Sequence, residues 1–417
     1  MNLWRLITLA WRNLWRNRRR TLITVSTVTI GFALAVFAIG LGDGGHEQMI
    51  RSAINMGEGH ITIQPKGYLA APSNSLYLAH GAALMAHLPI SQADGKVAPR
   101  VFLQVLVSTA YNSLGVGLQG IQPENDPFAN LLQPYLVQGE WLHPGDAYGV
   151  LLGDKMAEKL HVHVGSKLAI MAGGADGNVE SRLGHVRGIF RSRLEQLDGF
   201  LMLSTLDFAR PLLPGYKPGQ DDQAVTRLAI FLHNPKQQAA IFARLKADHL
   251  SDGVVLDWQE MMPQVVNFVF VDDLFNYIWL GFILVMVAFG IANTIFMSAL
   301  ERTREFGLLR ALGMKGREVL ALMICETVLL ALVSMALGWL VGGGAHLYFA
   351  TYGLDLSGVY PGGFETAGMW MDPVIYPSLS LGRITSLTAI VFFTTLLSGL
   401  YPAFKAAGIS PVAALRT

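Results

Sequence analysis

Cysteine is almost absent, with Cys325 the only one in 417 residues. That excludes an intramolecular disulfide and any multi-cysteine metal site. Charge is sparse, at 15% of residues, and nearly balanced, with a formal net charge of +1. A nucleic-acid partner held by bulk positive charge is therefore excluded. The chain has no G-x-x-x-x-G-K-[ST] segment, so it cannot bind ATP through a P-loop. It also lacks H-E-x-x-H, G-x-S-x-G and paired-carboxylate patterns, which leaves a membrane-anchored enzyme with no catalytic constellation. No internal repeat or low-complexity tract is seen.

Hydrophobic residues fill the space that charge leaves, at 52% of the chain, with a mean hydropathy of +0.39. Crossing a bilayer takes about 20 consecutive apolar residues. Four segments meet that length or come close to it: Thr21–Leu41, Leu274–Leu300, Val319–Tyr348 and Ile384–Tyr401. None has a lysine or arginine in its middle. The first run is too long for a signal-peptide core, and no small-residue cleavage site or lipobox cysteine follows, so a retained span is expected. The amino-terminal 20 residues hold six arginines (Arg5, Arg12, Arg16, Arg18, Arg19, Arg20) and no acid. Residues 301–318 add Arg302, Arg304, Arg310, Lys315 and Arg317, and the tail adds Lys405 and Arg416. Between the third and fourth spans stand Asp355, Glu365 and Asp372, with no basic residue before Arg383. The positive-inside rule then puts both termini and the 301–318 loop in the cytoplasm, and the 43–270 and 350–383 stretches outside. Ahead of the first span, Leu3, Trp4, Ile7, Trp11, Leu14 and Trp15 share one helical face, and Arg5, Arg12, Arg16 and Arg19 another. That pattern suits a helix lying in the cytoplasmic interface.

Residues 43–270 carry most of the charge and ten of the eleven histidines. Alternating runs predict strands at His60–Gln64, Val101–Ser108, Lys167–Met171, Val186–Phe190 and Arg227–Leu232, with helices near 153–160 and 236–248. A two-lobed α+β domain is expected. His161 and His163 alternate on what reads as a strand, and a solvated strand face explains them better than metal binding. His143 and His185 join them only through folding. Asp221–Asp222 and Asp272–Asp273 read as loop and membrane-edge charges. The glycines of Gly42-Asp43-Gly44-Gly45 would let the chain bend where the first span leaves the membrane.

Between the second and third spans the chain reads Glu301-Arg-Thr-Arg-Glu-Phe-Gly-Leu-Leu-Arg-Ala-Leu-Gly-Met314. Charges of alternating sign surround Phe306, Leu308, Leu309 and Leu312. This suits either a short helix docking on a cytoplasmic partner or a solvated turn.

The same segment resembles the signature of the MacB/LolC/FtsX-type ABC permease superfamily, E-R-x-R-E-[FI]-G-[LI]-L-[RK]-A-[LI]-G, which contacts the ATPase in that family. Leu9–Thr21 resembles the family's start, and Val150–Gly165 followed by Lys167–Ile170 its external-domain pattern. Tyr401-Pro-Ala-Phe-Lys-Ala-Ala and Pro411–Arg416 resemble its ending. With a large external domain and no fused ATPase, the chain is most similar to the lipoprotein-releasing permeases.

The resemblance implies an α-helical integral membrane protein of the inner membrane, with four transmembrane helices and a large α+β domain inserted between the first and second. The expected order is an interfacial helix (1–20), first span (21–42), periplasmic domain (43–270), second span (271–300), coupling helix (301–318), third span (319–348), periplasmic loop (349–383), fourth span (384–401) and cytoplasmic tail (402–417). It implies coupling to an ATPase through Glu301, Arg302, Arg304, Glu305, Phe306, Gly307, Leu309, Arg310, Leu312 and Gly313. The implied partners are two cytoplasmic ABC ATPase subunits, a second permease of the same or another kind, membrane lipids, and a periplasmic carrier or adaptor. ATP and Mg would be bound by the partner ATPase, with no cofactor or metal held by this chain. A lipid cavity would be lined by Phe32, Val36, Phe37, Phe268, Phe270, Leu274 and Ile278. An ionised carboxylate at membrane depth costs several kcal/mol unless partnered or solvated, which marks Glu326 inside the third span for a packing or functional role. Efflux of small molecules or peptides, and transmembrane signalling to an external enzyme, are the alternative activities in the same superfamily.

The arginine asymmetry makes a topology prediction. A reporter inserted near residue 150 will be active only when it requires an extracytoplasmic location. Activity there of a reporter that works only in the cytoplasm would reverse the orientation.

Overall fold

The computed structural model describes residues 3–57, 59–175, 177–192, 194–247, 253–361, 363–366 and 369–408. The Pro411–Arg416 motif lies outside them. The chain divides into a helical unit (Met1–Gln48, Phe268–Pro361, Asp372–Thr417) and a β-rich unit (Met49–Asn267, Gly362–Met371).

The helical unit begins with the leading helix Leu3–Arg16, followed by the first span helix Arg18–Met56. The second span helix is Pro263–Glu301. A short helix, Thr303–Ala311, precedes the third span helix, which runs from Gly316 to Gly338 and continues through a π-helical turn (Trp339–Gly343) into Gly344–Tyr352. The fourth span helix is Leu381–Ala407. All four long helices are long and apolar enough to cross a membrane. The first and second outrun the expected spans. Their polar extensions hold Glu47, Gln48 and Arg51 at one end and Gln264 at the other, which are good helix formers with no proline inside to stop them.

Two expectations about this unit need correction. The leading helix has two apolar stripes instead of one. Leu6, Ala10 and Leu14 are buried, while Trp4, Trp11 and Trp15 are exposed. The first span helix also runs unbroken through Gly42–Gly45. Gly44 serves close approach instead of a bend, since a Cβ there would meet the Tyr376 carbonyl oxygen at 2.1 Å. Gly342 plays the same part between the third and first span helices, where a Cβ would stand 2.7 Å from the Ala33 Cα. Small residues let backbones touch in a membrane, where packing takes the place of the hydrophobic drive.

The β-rich unit is built on β1 (Ile61–Pro65), β2 (Gly95–Ser108), β3 (Ser113–Ile121), β4 (Leu136–Gly139), β5 (Gly149–Gly153), β6 (Lys167–Gly173), β7 (Val179–Phe190), β8 (Leu201–Thr205), β9 (Arg227–Leu232) and β10 (Gly253–Asp257). The strands expected from alternation are all present, most of them longer than read. The long strand β2 belongs to two lobes. Its residues 95–100 pair with β9, which leads to β1 and β10. Its residues 101–108 pair with β3, and 105–108 also pair with β6. The second lobe closes on itself in the order β2-β3-β8-β5-β7-β6 and back to β2. Val105, Leu118, Leu152, Ile170, Val186 and Met202 fill it. On β5 and β8 the intervening Leu151, Leu201 and Leu203 pack the other way, with Phe128 and Leu132 of the helix Pro127–Leu132.

Where the lobes meet, Arg100 is 2% exposed and Asp126 fully buried. The Arg100 Nε and Nη2 groups donate to the Asp126 carboxylate at 2.8 and 2.6 Å, and Nη1 donates to the Gly57 carbonyl. The guanidinium lies against the rings of Phe128 and Phe231, 5.6 and 5.3 Å from their centroids. Asp126 also caps the helix Pro127–Leu132 through the Phe128 N–H. A buried pair in which each guanidinium nitrogen has a partner holds its geometry, because removing either partner strands the other charge.

His161 and His163 are not on a strand. His161, at φ 52, ends the helix Asp154–Leu160 in left-handed conformation, and the His163 N–H donates to Ser166 Oγ in the following turn. The alternation that read as a strand comes from Val162 and Val164 packing inward while both histidines face solvent.

His60 behaves differently. It is 8% exposed, and its Nδ1 accepts the Leu232 N–H at 3.1 Å, so this nitrogen must be unprotonated. Burial pulls its pKa below the ordinary value. The stability it contributes is full above about pH 6.5 and is lost as pH falls below that value, at up to about 1.4 kcal/mol per pH unit. The β-rich unit will therefore unfold at lower urea concentration as pH drops from about 7.5 to 5.5. His60→Asn, which keeps an acceptor and does not titrate, will flatten that dependence. Equal slopes in the two proteins would remove His60 from the account.

Candidate functional site: the coupling segment and its ion network

The helix of the second span ends at Glu301, and Arg302 (φ −102, ψ 12) breaks it before Thr303–Ala311 begins. Glu305 lies in the first turn of the short helix and Arg310 in its last, each favourable to the helix dipole. Gly313, at φ 102, turns the chain into the third span helix.

Helical periodicity sorts the ten expected coupling residues into two sides. Arg302 and Phe306 are 6% and 1% exposed, and Gly307 is buried with them. Phe306 packs with Leu14, Val25, Ile295, Val319 and Met323. Leu309 and Arg310 are half-buried, and Arg310 donates to the Ala407 carbonyl at 3.4 Å. Glu301, Arg304, Glu305, Leu312 and Gly313 are exposed. Leu308, Ala311 and Leu312 form an apolar stripe beside Arg304, with Leu308 and Leu312 55% and 78% exposed. Arg302, Phe306 and Gly307 therefore hold the segment in place and are turned inward.

An ion network fastens the segment to three helices. Arg302 Nη1 donates to Glu326 of the third span helix at 2.9 Å, and Arg302 Nε to Glu305 at 3.2 Å. The guanidinium lies 4.9 Å from the Phe306 ring centroid. Asn13 of the leading helix donates to the same Glu326 oxygen at 2.8 Å. Arg16 reaches Glu305 at 3.0 Å, and Arg20 reaches Glu301 at 2.7 Å. Burial pushes the Glu305 pKa up, but its bonds to Arg16 and Arg302 outweigh that and hold it below the usual range. A polar cavity of about 40 Å³ adjoins Glu326, lined by Asn13, Thr21, Thr294, Ser298 and Thr327 among others, with room for a water molecule. Glu326 was legible as an acid inside the third span, whereas its partner Arg302 read as one of the ATPase-coupling residues.

The seven expected cavity residues do not gather in one place. Phe32 and Val36 are 1% and 0% exposed, in a cluster with Leu280, Met335, Leu387 and Val391. Phe37 rests on Phe349, with ring centroids 5.5 Å apart. Phe268, Phe270, Leu274 and Ile278 are exposed on the second span helix. Residues 32–41 of the first span are packed on most sides, with Leu34 and Ala38 left exposed.

Asp272 and Asp273, expected as membrane-edge charges, do more than mark an edge. They sit inside the second span helix and meet the other helices. His46 Nε2 lies 2.8 Å from Asp272, and Arg383 Nη2 lies 2.7 Å from Asp273 and 3.2 Å from Asp43. Asp43, His46 and Asp273 bring donor atoms within 4.8 Å of one another, as a metal site would, but the Arg383 guanidinium already supplies positive charge there.

A signature loop beside a span helix and a separate β-rich unit suggest a known architecture, and two family models match. The MacB-like periplasmic core domain matches residues 21–248, and the FtsX-like permease C-terminal domain matches residues 277–411. The chain belongs to the MacB- and FtsX-like ABC permease family. This permease is 23% identical to the lipoprotein-releasing system transmembrane protein LolC of Neisseria meningitidis, over 76% of this chain and 77% of that protein. It is 22% identical to an uncharacterised ABC transporter permease of Methanocaldococcus jannaschii, over 99% of this chain and 97% of that one. It is also 22% identical to the pyoverdine export ATP-binding/permease protein PvdT of Pseudomonas entomophila, covering 97% of this chain but 58% of that protein. Membership makes this chain a permease that partners ABC ATPases, in the inner membrane, with an extracytoplasmic domain.

The ion network makes a quantitative prediction. Arg302→Met or Glu326→Met in the permease strands a charge, and each will destabilise it by up to about 3–5 kcal/mol, less where water enters the cavity. The double variant will lose less than the sum of the two, read as the thermal midpoint of the purified protein. Additive losses would mean that the two side chains do not depend on each other.

Proposed function

We propose that this permease works with a second permease, identical or different, and two cytoplasmic ATPase subunits to extract lipoproteins or a similar lipidic cargo from the inner membrane. ATP and Mg are bound and spent in the ATPase. The stripe of Arg304, Leu308, Ala311 and Leu312 docks on the ATPase, and the network behind it carries displacement into the span helices. Both termini and the 301–318 segment lie in the cytoplasm.

The observation that carries this reading is the exposed apolar surface of the outer half of the second span helix. Phe270, Leu274, Phe275 and Ile278 are each 46–69% exposed. Acyl chains cost about 0.8 kcal/mol per CH₂ to move into water. Three chains of about sixteen carbons would cost on the order of 35 kcal/mol, more than ATP hydrolysis supplies, so the cargo must stay against apolar surface throughout. Phe37, Phe268, Phe270, Leu274 and Ile278 are suited to that contact. Phe32 and Val36 support the helix behind it. The likeness to LolC supports lipoprotein as cargo. The likeness to PvdT supports export of a smaller molecule as the second reading.

Photo-crosslinking separates them. The complex is reconstituted with a triacylated lipoprotein, and a photoreactive residue replaces Leu274. The lipoprotein will be captured, and ATP will reduce the capture. Leu308→Asp/Leu312→Asp will keep the capture and lose the ATP effect, because charge on the stripe opposes docking. No lipoprotein adduct in any nucleotide state would overturn this reading.

A further inference from the structure

The leading helix presents three stripes side by side. Leu6 and Ala10 are buried with Leu322 of the third span helix, and Cys325 and Leu329 of that helix pack against them. Trp4, Trp11 and Trp15 are 78%, 44% and 37% exposed, and Trp11 and Trp15 touch edge to face at 5.8 Å. Arg5, Arg12 and Arg16 follow on the far side of the tryptophans, as a helical repeat of 100° per residue requires. Arg16 is held by Glu305, and Arg20 by Glu301. Arg5, Arg12, Arg18 and Arg19 are exposed and, among the described residues, meet no carboxylate.

Each stripe limits what can cover this helix. Three exposed indoles in a row are costly in water, whereas an indole is at home at the headgroup level of a bilayer. Guanidinium groups beside them match phosphate oxygens in geometry and charge. The buried stripe fixes the depth, because Leu322 and Cys325 lie within the first three turns of the third span helix after Gly316. The helix is thus fastened at the end of a membrane span, with its tryptophans and free arginines turned outward.

We propose that the leading helix, together with the first turn of the span helix that follows it, is a binding surface for anionic phospholipid. Arg5, Arg12, Arg18 and Arg19 donate to the headgroup phosphates, and the three indoles sit at the glycerol level. Asn13 and Arg16 of the same helix hold Glu326 and Glu305, so lipid bound here steadies the coupling segment. Anionic lipid is then a requirement for full coupling to the ATPase.

The test uses the full-length permease in nanodiscs that contain brominated phosphatidylglycerol or brominated phosphatidylcholine. The fluorescence of Trp4, Trp11 and Trp15 is isolated by subtracting the Trp4→Phe/Trp11→Phe/Trp15→Phe variant. Phosphatidylglycerol will quench several-fold more effectively, and high salt will reduce its advantage. Arg5→Gln/Arg12→Gln will lower the preference several-fold, while Arg16 and Arg18–Arg20 remain to hold the orientation. Arg5→Lys/Arg12→Lys will keep most of it. In the complex with ATPase, hydrolysis will rise with the phosphatidylglycerol fraction, and the glutamine variant will lose that response. Equal quenching by the two lipids, or a preference that the glutamine variant retains, would overturn the proposal. So would loss of the preference on adding inorganic phosphate at constant ionic strength, which would mark a free-anion site. Quenching by neither lipid, with the tryptophans shielded only when ATPase binds, would put a protein on this surface instead.

Discussion

An ionised side chain among membrane helices costs several kcal/mol unless a counter-charge or water meets it. The helical unit meets that condition with two clusters, and the positions of its helices follow from them. At one end Glu326 draws Arg302 and Asn13 together, which brings the leading helix, the coupling segment and the third span helix to a single point. At the other, Asp43, His46, Asp272, Asp273 and Arg383 join the first, second and fourth span helices. Neither cluster adds much net stability over apolar packing, but both fix register, because a helix that slips leaves a charge unpaired.

Between the clusters, contact depends on small residues. Gly31 faces Val287, Gly338 faces Phe32 and Gly342 faces Ala33, and a Cβ at any of the three would stand 2.6–2.8 Å from its neighbour. Such packing gives the span helices closely fitted neighbours without a hydrophobic drive. The coupling segment inherits this rigidity. Its buried side carries Arg302 and Phe306, which leaves Leu308 and Leu312 projecting from a firm base. Paired charges and a packed ring tie that stripe to the third span helix.

The β-rich unit solves a similar problem in water. Strand β2 serves both lobes, so its turning point needs a fixed anchor. Arg100, bonded to Asp126 and Gly57 and flanked by two rings, supplies it. The closed ring of six strands has no free edge within it, which protects a strand-rich domain from pairing with other chains.

Short-range physics was written plainly in the chain. Four apolar runs, the arginine excess at the start and in the 301–318 loop, and the alternation of β1, β2, β6, β7 and β9 each depend on neighbours a few residues apart, so the sequence alone determined the span helices and these strands. The signature Glu301–Gly313 likewise marked the segment that forms the short helix between the second and third spans. Only the tertiary structure decided which of its residues face inward, because that depends on Glu326, 24 positions away, and on Asn13 at the other end of the chain. The same limit explains Phe32 and Val36. An apolar side chain looks alike against lipid and against another helix, and only the packed neighbours Leu280, Met335 and Val391 distinguish the two. It also explains His161 and His163, whose alternation with valines arises equally from a strand and from a turn that buries every second residue.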